Sequence, residues 1–508
     1  MRKRMLAESV AAMVFSLAAA ALLAEQIEPR EPLDIGSRLE LFVDDYLIDR
    51  LVGARLVLGR PQPAGTVLKA DRPWEGSFNF GQQVIRDGDV HRMFYRGWAE
   101  GGRGSLCYAE SRDGIHWEKP NLGVVEAGGT RENNVVAFVD GTTRPASSHL
   151  FPFIDSRPGV PPSERPKAIH PILQSKEPFL MHVYLYGSRD WFRWRCLRKE
   201  PIIVSKISNA FDSSNFVFWS QVEGVYVCYF RYMATRPTGS SSAGVRSILR
   251  ATSRDLIHWS EPKAMTYSDT GTAVPSHHLY TNMTEPYFRA PQIYVGLAAR
   301  FMKGRRVVTD GQLAGIQVAS QGGHAYYEDC SDAVLLTTRP GTTRFDRTFL
   351  EALVRPGRGA ENWVSRTNYP LRGVVQTGPE EMSLFVSRHY AQPSWHIERL
   401  TLRLDGFSSV RAPYEGGEVL TRPLVFSGTQ LKINYATSAA GSLRVEIQDV
   451  EGKPLPGFSL SECWEIVGDE IERLVTWKGD QDVGRLSGKP VRLRFVMRDA
   501  NLYSLRFW

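Results

Sequence analysis

The turn Ser111-Arg112-Asp113-Gly114-Ile115-His116-Trp117 constrains what this chain can fold into more than any other stretch. A polar start, an Asp-Gly pair suited to positive φ and a large aromatic returning to the interior describe a tight connection between strands. The same pattern returns as Ser188-Arg189-Asp190-Trp191-Phe192-Arg193-Trp194 and as Ser253-Arg254-Asp255-Leu256-Ile257-His258-Trp259, with a degenerate copy at Thr338-Arg339-Pro340-Gly341. The copies start 77, 65 and 85 residues apart. That spacing is too long for a solenoid and suits four-stranded propeller blades with insertions. Because the Asp and Trp recur, they are assigned to the scaffold: Asp accepts from backbone amides and Trp packs between strands.

A chain of 508 residues exceeds one hydrophobic core, so a repeat array with a further domain is expected. Aromatic residues at 11%, 44 glycines and 30 prolines suit many short strands broken by turns, and the class is read as all-β. Residues 1–24 combine Arg2, Lys3 and Arg4 with an apolar, Ala-rich run from residue 10, the pattern of a secretory signal, which implies a secreted or periplasmic protein. Its removal would take Glu8 as well, lowering the formal charge from +7 to +5. The remaining basic residues are interspersed with acids, so no nucleic-acid partner is expected, and no later stretch is long enough to span a membrane. The five cysteines contain no C-x-x-C pair and read as buried thiols, with one disulfide as the alternative.

Taken in order, strands at 39–47 and 55–58 open the folded part, and a terminal strand is expected to join the last blade, since closure removes free edges. The adjacent Asp44 and Asp45 point to opposite faces of a strand and are read as structural. Blades follow at 74–128, 134–207, from 211 to the turn at Asp255, from about 280 to 338, and from 362 to 404. The Pro-rich 157–166 and the stretch 304–323 read as loops. Beyond 414 the turn pattern stops, and short strands to the end predict an antiparallel β-sandwich. The expected organisation is a signal at 1–24, a five-bladed β-propeller at 34–414 and a β-sandwich at 415–508.

The S-x-D-x-x-x-W turns resemble those of the five-bladed propeller glycosidases of the arabinanase, levansucrase and invertase superfamily. Leu41-Phe42-Val43-Asp44-Asp45-Tyr46, Phe211-Asp212-Ser213 and Asn362-Trp363-Val364-Ser365-Arg366-Thr367-Asn368-Tyr369-Pro370 are similar to exported bacterial, planctomycete-type proteins described as glycosyl hydrolase family 32 N-terminal-like. The resemblance implies a propeller acting on glycosidic bonds of a polysaccharide or oligosaccharide through carboxylates on inner strands. The chain departs from the invertase pattern: it has no N-D-P-N-G or R-D-P, and Glu462-Cys463 falls in the expected sandwich. A second resemblance is to the Asp box of six-bladed sialidases, from which Ser111–Trp117 differs by one residue in spacing.

A glycosidase sets two carboxyl groups across the scissile bond, about 5 Å apart for retention and roughly 6.5 to 9.5 Å for inversion. In the blade register, Asp155, Asp212 and Glu285 fall on inner strands or the loops above them and are the candidate catalytic residues, with Asp332 and Glu381 further possibilities. Gln83, Arg165, Lys167, Asn215, Trp219, Arg289, Arg366 and Asn368 are the candidate substrate contacts, and Trp98, Tyr287 and Tyr369 candidate sugar platforms. His149, His277 and His278 are candidates for the channel mouth but lack metal-ligand spacing, so neither metal nor cofactor is expected. Two alternatives stand beside the hydrolase: a non-catalytic carbohydrate-binding propeller, and a glycoside phosphorylase. The phosphorylase would hold phosphate with Arg165, Lys167, Arg289 or Arg366.

Overall fold

The computed structural model describes residues 31–98, 104–235, 244–320, 323–478 and 482–508. The expected signal at 1–24 lies outside the described residues. The fold is all-β, with antiparallel sheets following one another along the chain in a propeller-like arrangement. The first is Phe80–Asp87, Val90–Gly97 and Ser105–Ser111. A full fourth strand was expected after the turn at Ser111, but single bridges of Ser105 with Ser147, Cys107 with Val135 and Glu110 with Glu118 occupy that place among the described residues.

The second sheet is built on Phe151–Ile154, Pro166–Lys176 and Phe179–Gly187, and the third on Phe216–Ser220, Val225–Ala234, Val245–Ser253 and Lys263–Ala264. The fourth sets His278–Asn282 and Glu285–Tyr287 against Ala290–Met302, followed by Cys330–Thr338. In the fifth, Tyr369–Pro370 and Val375–Gln376 pair with Glu381–Arg388, which pairs with His396–Arg403. The outer edge of that sheet is taken by Gln62–Lys69 from the beginning of the chain.

A terminal strand therefore does join the last sheet, but not the one expected. Residues 39–58 pair elsewhere: Glu40–Leu41 with Arg492–Phe507, Ile48–Val52 with Gly417–Thr421, and Arg55–Leu58 with Ser408–Ala412. These strands share an eight-stranded sheet with Leu431–Gln448 and Asp469–Leu474. The C-terminal unit is thus completed by residues far ahead of position 415. Its core, with Phe42, Trp477, Phe458 and Phe507, is separate from those between the preceding sheets. The stretch 304–323 also departs from expectation, because Asp310–Ile316 is a short helix whose N-terminus is closed by the reciprocal Thr309 and Gln312 capping bonds.

Innermost strands touch in order around an axis. Phe80–Asp87 meets Phe151–Ile154, which meets Phe216–Ser220; the third sheet meets His278–Asn282; the fourth meets Tyr369–Pro370, which returns to Phe80–Asp87. Apolar side chains fill the gaps between neighbouring sheets: Phe94, Phe138 and Trp194 between first and second, Phe218, Tyr294 and Leu336 between third and fourth, Met93, Trp395 and Phe385 between first and fifth.

The three full turns have the anatomy read from sequence. Asp113 Oδ1 accepts from the amides of Ile115 and His116, Asp190 Oδ1 from those of Phe192 and Arg193, and Asp255 Oδ1 from those of Ile257 and His258, all at 2.8–2.9 Å. The aromatic Nε1 atoms of Trp117, Trp194 and Trp259 donate back to the carbonyls of Gly114, Trp191 and Leu256. Those three carbonyl residues share φ near +70°: 73° at Gly114, 71° at Trp191 and 69° at Leu256. Trp191 and Leu256 bear that strain because both are buried.

Bonds from the His258 amide, opposed by slight desolvation and reinforced by the His258 ring, hold the Asp255 carboxyl well below the ordinary aspartate range. Asp255→Ala is accordingly expected to cost about 1 kcal/mol at neutral pH. A depressed carboxylate stabilises above its unfolded pKa and loses that contribution as pH falls through the folded value, so the deficit should shrink in acid. Thermal denaturation at pH 7 and pH 3 checks this, and a deficit unchanged at pH 3 would count against the carboxylate as its cause.

All five cysteines are free thiols, and Cys107, Cys228, Cys330 and Cys463 are buried, as the sequence reading preferred. No helix among the described residues is long and apolar enough to cross a membrane. Asp44 has the structural role expected of it: it is buried and, with Glu40, holds Arg339 at 3.1 and 2.8 Å.

Candidate functional site

A side chain near the start of an inner strand stands at one end of the channel, and each further residue descends about 3.3 Å. Phe80, Phe151 and Tyr369 are the first residues of their strands, Thr281 lies near the end of His278–Asn282, and all four line one cavity of about 270 Å³. Arg96 and Trp98 join from the first sheet, His149 from the second, Asp212, Ser213 and Ser214 from the loop before the third, Tyr280 from the fourth, and Arg366 and Tyr390 from the fifth. Every sheet thus contributes to this mouth. Two larger clefts, of about 600 and 660 Å³, lie beside residues 351–358 and draw on fewer sheets.

Asp212 is the one carboxylate among the described residues lining the mouth. Its loop is strapped on both sides. Phe211, at φ 63°, stacks on Phe230 with ring centroids 3.9 Å apart, and its amide donates to the Arg231 carbonyl. Asn215 is fully buried and spends its Nδ2 on the carbonyls of Phe211 and Ser213 at 3.0 and 2.5 Å, so it positions Asp212 rather than facing a ligand. Asp212 itself is ion-paired with Arg231 while its carboxylate is 43% exposed, leaving it accessible from the cavity. A bulky residue at positive φ is uncommon and marks backbone held in place by its surroundings.

Guanidinium groups outnumber that carboxylate. The ring of Tyr280 is flanked by Arg246 at 4.5 Å and by Arg231 and Arg366 at 5.5 Å each. Arg96 lies over Trp98 at 4.1 Å and Phe80 at 5.3 Å. Arg366 has φ 59° and is held by its amide to Ser331 Oγ at 3.0 Å. Beside it, Asn368 is fully buried and donates to the carbonyls of Ser331 and Asn362, and so supports Arg366 from behind. Burial, then Arg96, keeps the His149 ring below the ordinary histidine range.

Below the mouth a second polar group plugs the channel. Gln83 donates to the Pro152 carbonyl at 2.6 Å and receives Arg372 at 3.4 Å. Arg372 pairs with Glu285 at 3.1 Å and lies 5.2 Å from the Phe216 ring, while the Val374 amide donates to Glu285. Gln83 lies three residues along its strand from Phe80, and Arg372 three beyond Tyr369. The plug is therefore roughly 10 Å below the mouth. Glu285 and Asp212, paired as candidate acids in the sequence, are separated by this depth, and Gln83 serves the plug rather than the mouth.

Asp155 is also apart from the mouth. It lies four residues past Phe151, is fully buried, and accepts the Tyr226 hydroxyl at 2.8 Å and Lys167 at 3.2 Å. Lys167 also donates to the Glu164 carbonyl and Arg165 to that of Val160, so both serve the Pro-rich loop. Arg289 bridges Asp405 and Glu472, each at 3.3 Å, where the fourth sheet meets the C-terminal unit. There Tyr287 donates to Asp405 at 2.7 Å, and it is not a platform. Trp219 packs edge-on against Tyr226 at 4.9 Å. Asp332 pairs with Arg300 and Glu381 with Arg399. His277 lines a flanking cleft, and His278 accepts from the Arg246 amide.

Of the sequence candidates, the mouth brings together Asp212, Arg366, Trp98, Tyr369 and His149. Sequence reasoning missed Arg96, Arg231, Arg246, Tyr280 and Tyr390. A signal was present for one of the three arginines: Arg231 interrupts the otherwise apolar Val225–Ala234, whereas Val90–Gly97 and Val245–Ser253 are mixed strands that carry Arg92 and Arg250 beside Arg96 and Arg246. A cation in such a strand needs a polar destination. Among the described residues no group of three or more His, Cys, Asp or Glu is placed to hold a metal ion.

No protein-family model and no curated protein matches the chain. Solved structures similar to it include several described as glycoside hydrolases. One described as a glycoside hydrolase is 12% identical with a TM-score of 0.45, over 67% of this chain and 92% of that one. A thermostable family-43 glycoside hydrolase is 11% identical, TM-score 0.41, over 72% and 97%. A Bombyx mori GH32 beta-fructofuranosidase is 11% identical, TM-score 0.37, over 88% and 94%.

Proposed function

We propose that the chain is an exported five-bladed β-propeller with a C-terminal β-sandwich. It seats a polysaccharide or oligosaccharide at the axial mouth and acts there, glycosidase-like, on a glycosidic bond. The observation that carries this reading is the convergence of all the inner sheets on one cavity that combines Trp98, Tyr280, Tyr369 and Tyr390 with Asp212 and His149. Aromatic faces accept the apolar faces of sugar rings, while carboxylate and imidazole reach hydroxyls at the edges. Cleavage needs a proton at the leaving oxygen and a nucleophile at the anomeric carbon. Asp212 takes one of these roles.

Release of reducing sugar from a polysaccharide panel, with and without phosphate, tests the reading. Asp212→Asn is expected to lower the rate at least about 100-fold. Full activity in that variant removes Asp212 from the mechanism. A second reading, a non-catalytic carbohydrate-binding propeller, is favoured by Asp212 being the one carboxylate among the described residues that line the mouth. It predicts retention of the protein on a polysaccharide in affinity electrophoresis with no sugar released.

A further inference from the structure

We infer that the axial mouth is an oxyanion site: its ligand brings a carboxylate, sulfate or phosphate group, either as a substituent of the saccharide or as a free anion bound beside it. The inference rests on the carbohydrate reading only in taking the mouth as the ligand site.

Charge balance is the first ground. Arg96, Arg246 and Arg366 form no ion pair with any carboxylate among the described residues, and Asp212 is already engaged by Arg231. Among the described residues, four guanidiniums thus stand at or just behind the mouth beside one carboxylate, Arg96 and Arg366 as lining groups, Arg231 on Asp212 and Arg246 on Tyr280. Arg96 and Arg231 are 9% and 5% exposed, so water does little to screen them. Holding like charges together in a partly dry cavity is unfavourable unless a counter-charge joins them.

Stacking on aromatic faces offsets part of that cost, and it could be the whole explanation if it also used up the donors. It does not. A ring lying over a guanidinium covers the plane of the group, whereas its N–H bonds point outward in that plane, where an oxyanion is received in forked geometry. Buried donors are indeed left over: Arg96 Nε, and Arg231 Nε and Nη1, have no hydrogen-bond partner among the described residues. The hydroxyl of Tyr369, a lining residue 4% exposed, likewise has no partner among the described residues. Burial raises that phenol well above its ordinary range, so it remains a neutral donor. Unmet donors of this kind, from the first, third and fifth sheets, describe a receptor for acceptor-only groups.

Calorimetric titration of the full chain at low ionic strength tests this with inorganic phosphate, inorganic sulfate, a trigalacturonate and a neutral trisaccharide. Saturable binding of phosphate or sulfate, weakened at least tenfold in Arg366→Gln and in Arg96→Gln, supports a free-anion site. Binding of trigalacturonate, similarly weakened, with neither inorganic ion bound, supports an anionic substituent. Unchanged far-ultraviolet circular dichroism in both variants guards against misfolding. If none of the three anions binds, or if they bind equally to wild type and both variants, the inference is overturned. A neutral trisaccharide bound without help from the arginines would then leave the carbohydrate reading standing. Anion binding with no saccharide bound would sink that reading and keep this one.

Discussion

Gly373→Ala is expected to destabilise the sheet array by roughly 3 to 5 kcal/mol, the range of a backbone clash combined with a disallowed conformation. Gly373 sits at the seam where the fifth sheet meets the first. There the Val84 amide donates to the Arg372 carbonyl at 2.7 Å and the Arg372 amide to that of Gln82 at 3.0 Å. Its φ is 104°, and a Cβ placed on it would stand 2.1 Å from the Val84 carbonyl oxygen and 2.9 Å from its carbon. Those are backbone atoms, so no side chain can swing away. Gly65 separates the two contributions: at φ 96° it has nothing within 4 Å of where an added methyl would stand, so Gly65→Ala meets conformational strain alone. Calorimetry of both variants decides the matter. A Gly373→Ala transition no lower than that of Gly65→Ala would mean that the seam yields.

Removing Arg372 attacks the plug. Arg372→Met should cost about 3 kcal/mol near pH 8, because Glu285 is left in the channel without its cation. Burial already raises the Glu285 carboxyl above its usual range, and Arg372 is the main group opposing that rise. A carboxyl raised in the folded state contributes stability below its unfolded pKa, and this is lost as pH climbs through the folded value. Taking away Arg372 raises that value further. The deficit of the variant should therefore be smaller at pH 5 than at pH 8, and Glu285→Gln in the same chain should recover part of it. Denaturant midpoints at the two pH values measure this. Equal deficits, unrelieved by the second substitution, would show that Glu285 is not the group left uncompensated.

Both sites show where reading along the chain runs out. Gly373 followed by Val374 looks like any strand start, and the carbonyl that forbids a side chain belongs to a residue nearly three hundred positions earlier. Glu285 and Asp212 both stand at the approach to an inner strand. Whether a residue falls at the mouth or in the plug depends on how far along that strand it lies, and on a register that one residue can invert. Asp155 illustrates the same limit: Lys167 was legible as a near neighbour in its loop, whereas the Tyr226 hydroxyl that occupies the carboxylate comes from the next sheet. The closing strand went astray for a related reason. Gln62–Lys69 carries Pro63 and Gly65 and is the less strand-like stretch along the sequence, and only its pairing with His396–Arg403 shows that it, and not residues 39–58, takes the edge of the fifth sheet.

The repeated turn was decided locally. An aspartate, the two amides it receives and a tryptophan that reaches back three residues lie within one short stretch, so composition and spacing determine the geometry wherever they occur. The strand-rich class follows from the same kind of short-range information. The site was decided elsewhere. Arg96, Arg231, Arg246 and Arg366 are scattered across 271 residues of sequence and share no motif. They become a single cationic mouth only because the closed order of the sheets turns one end of each inner strand toward a common axis.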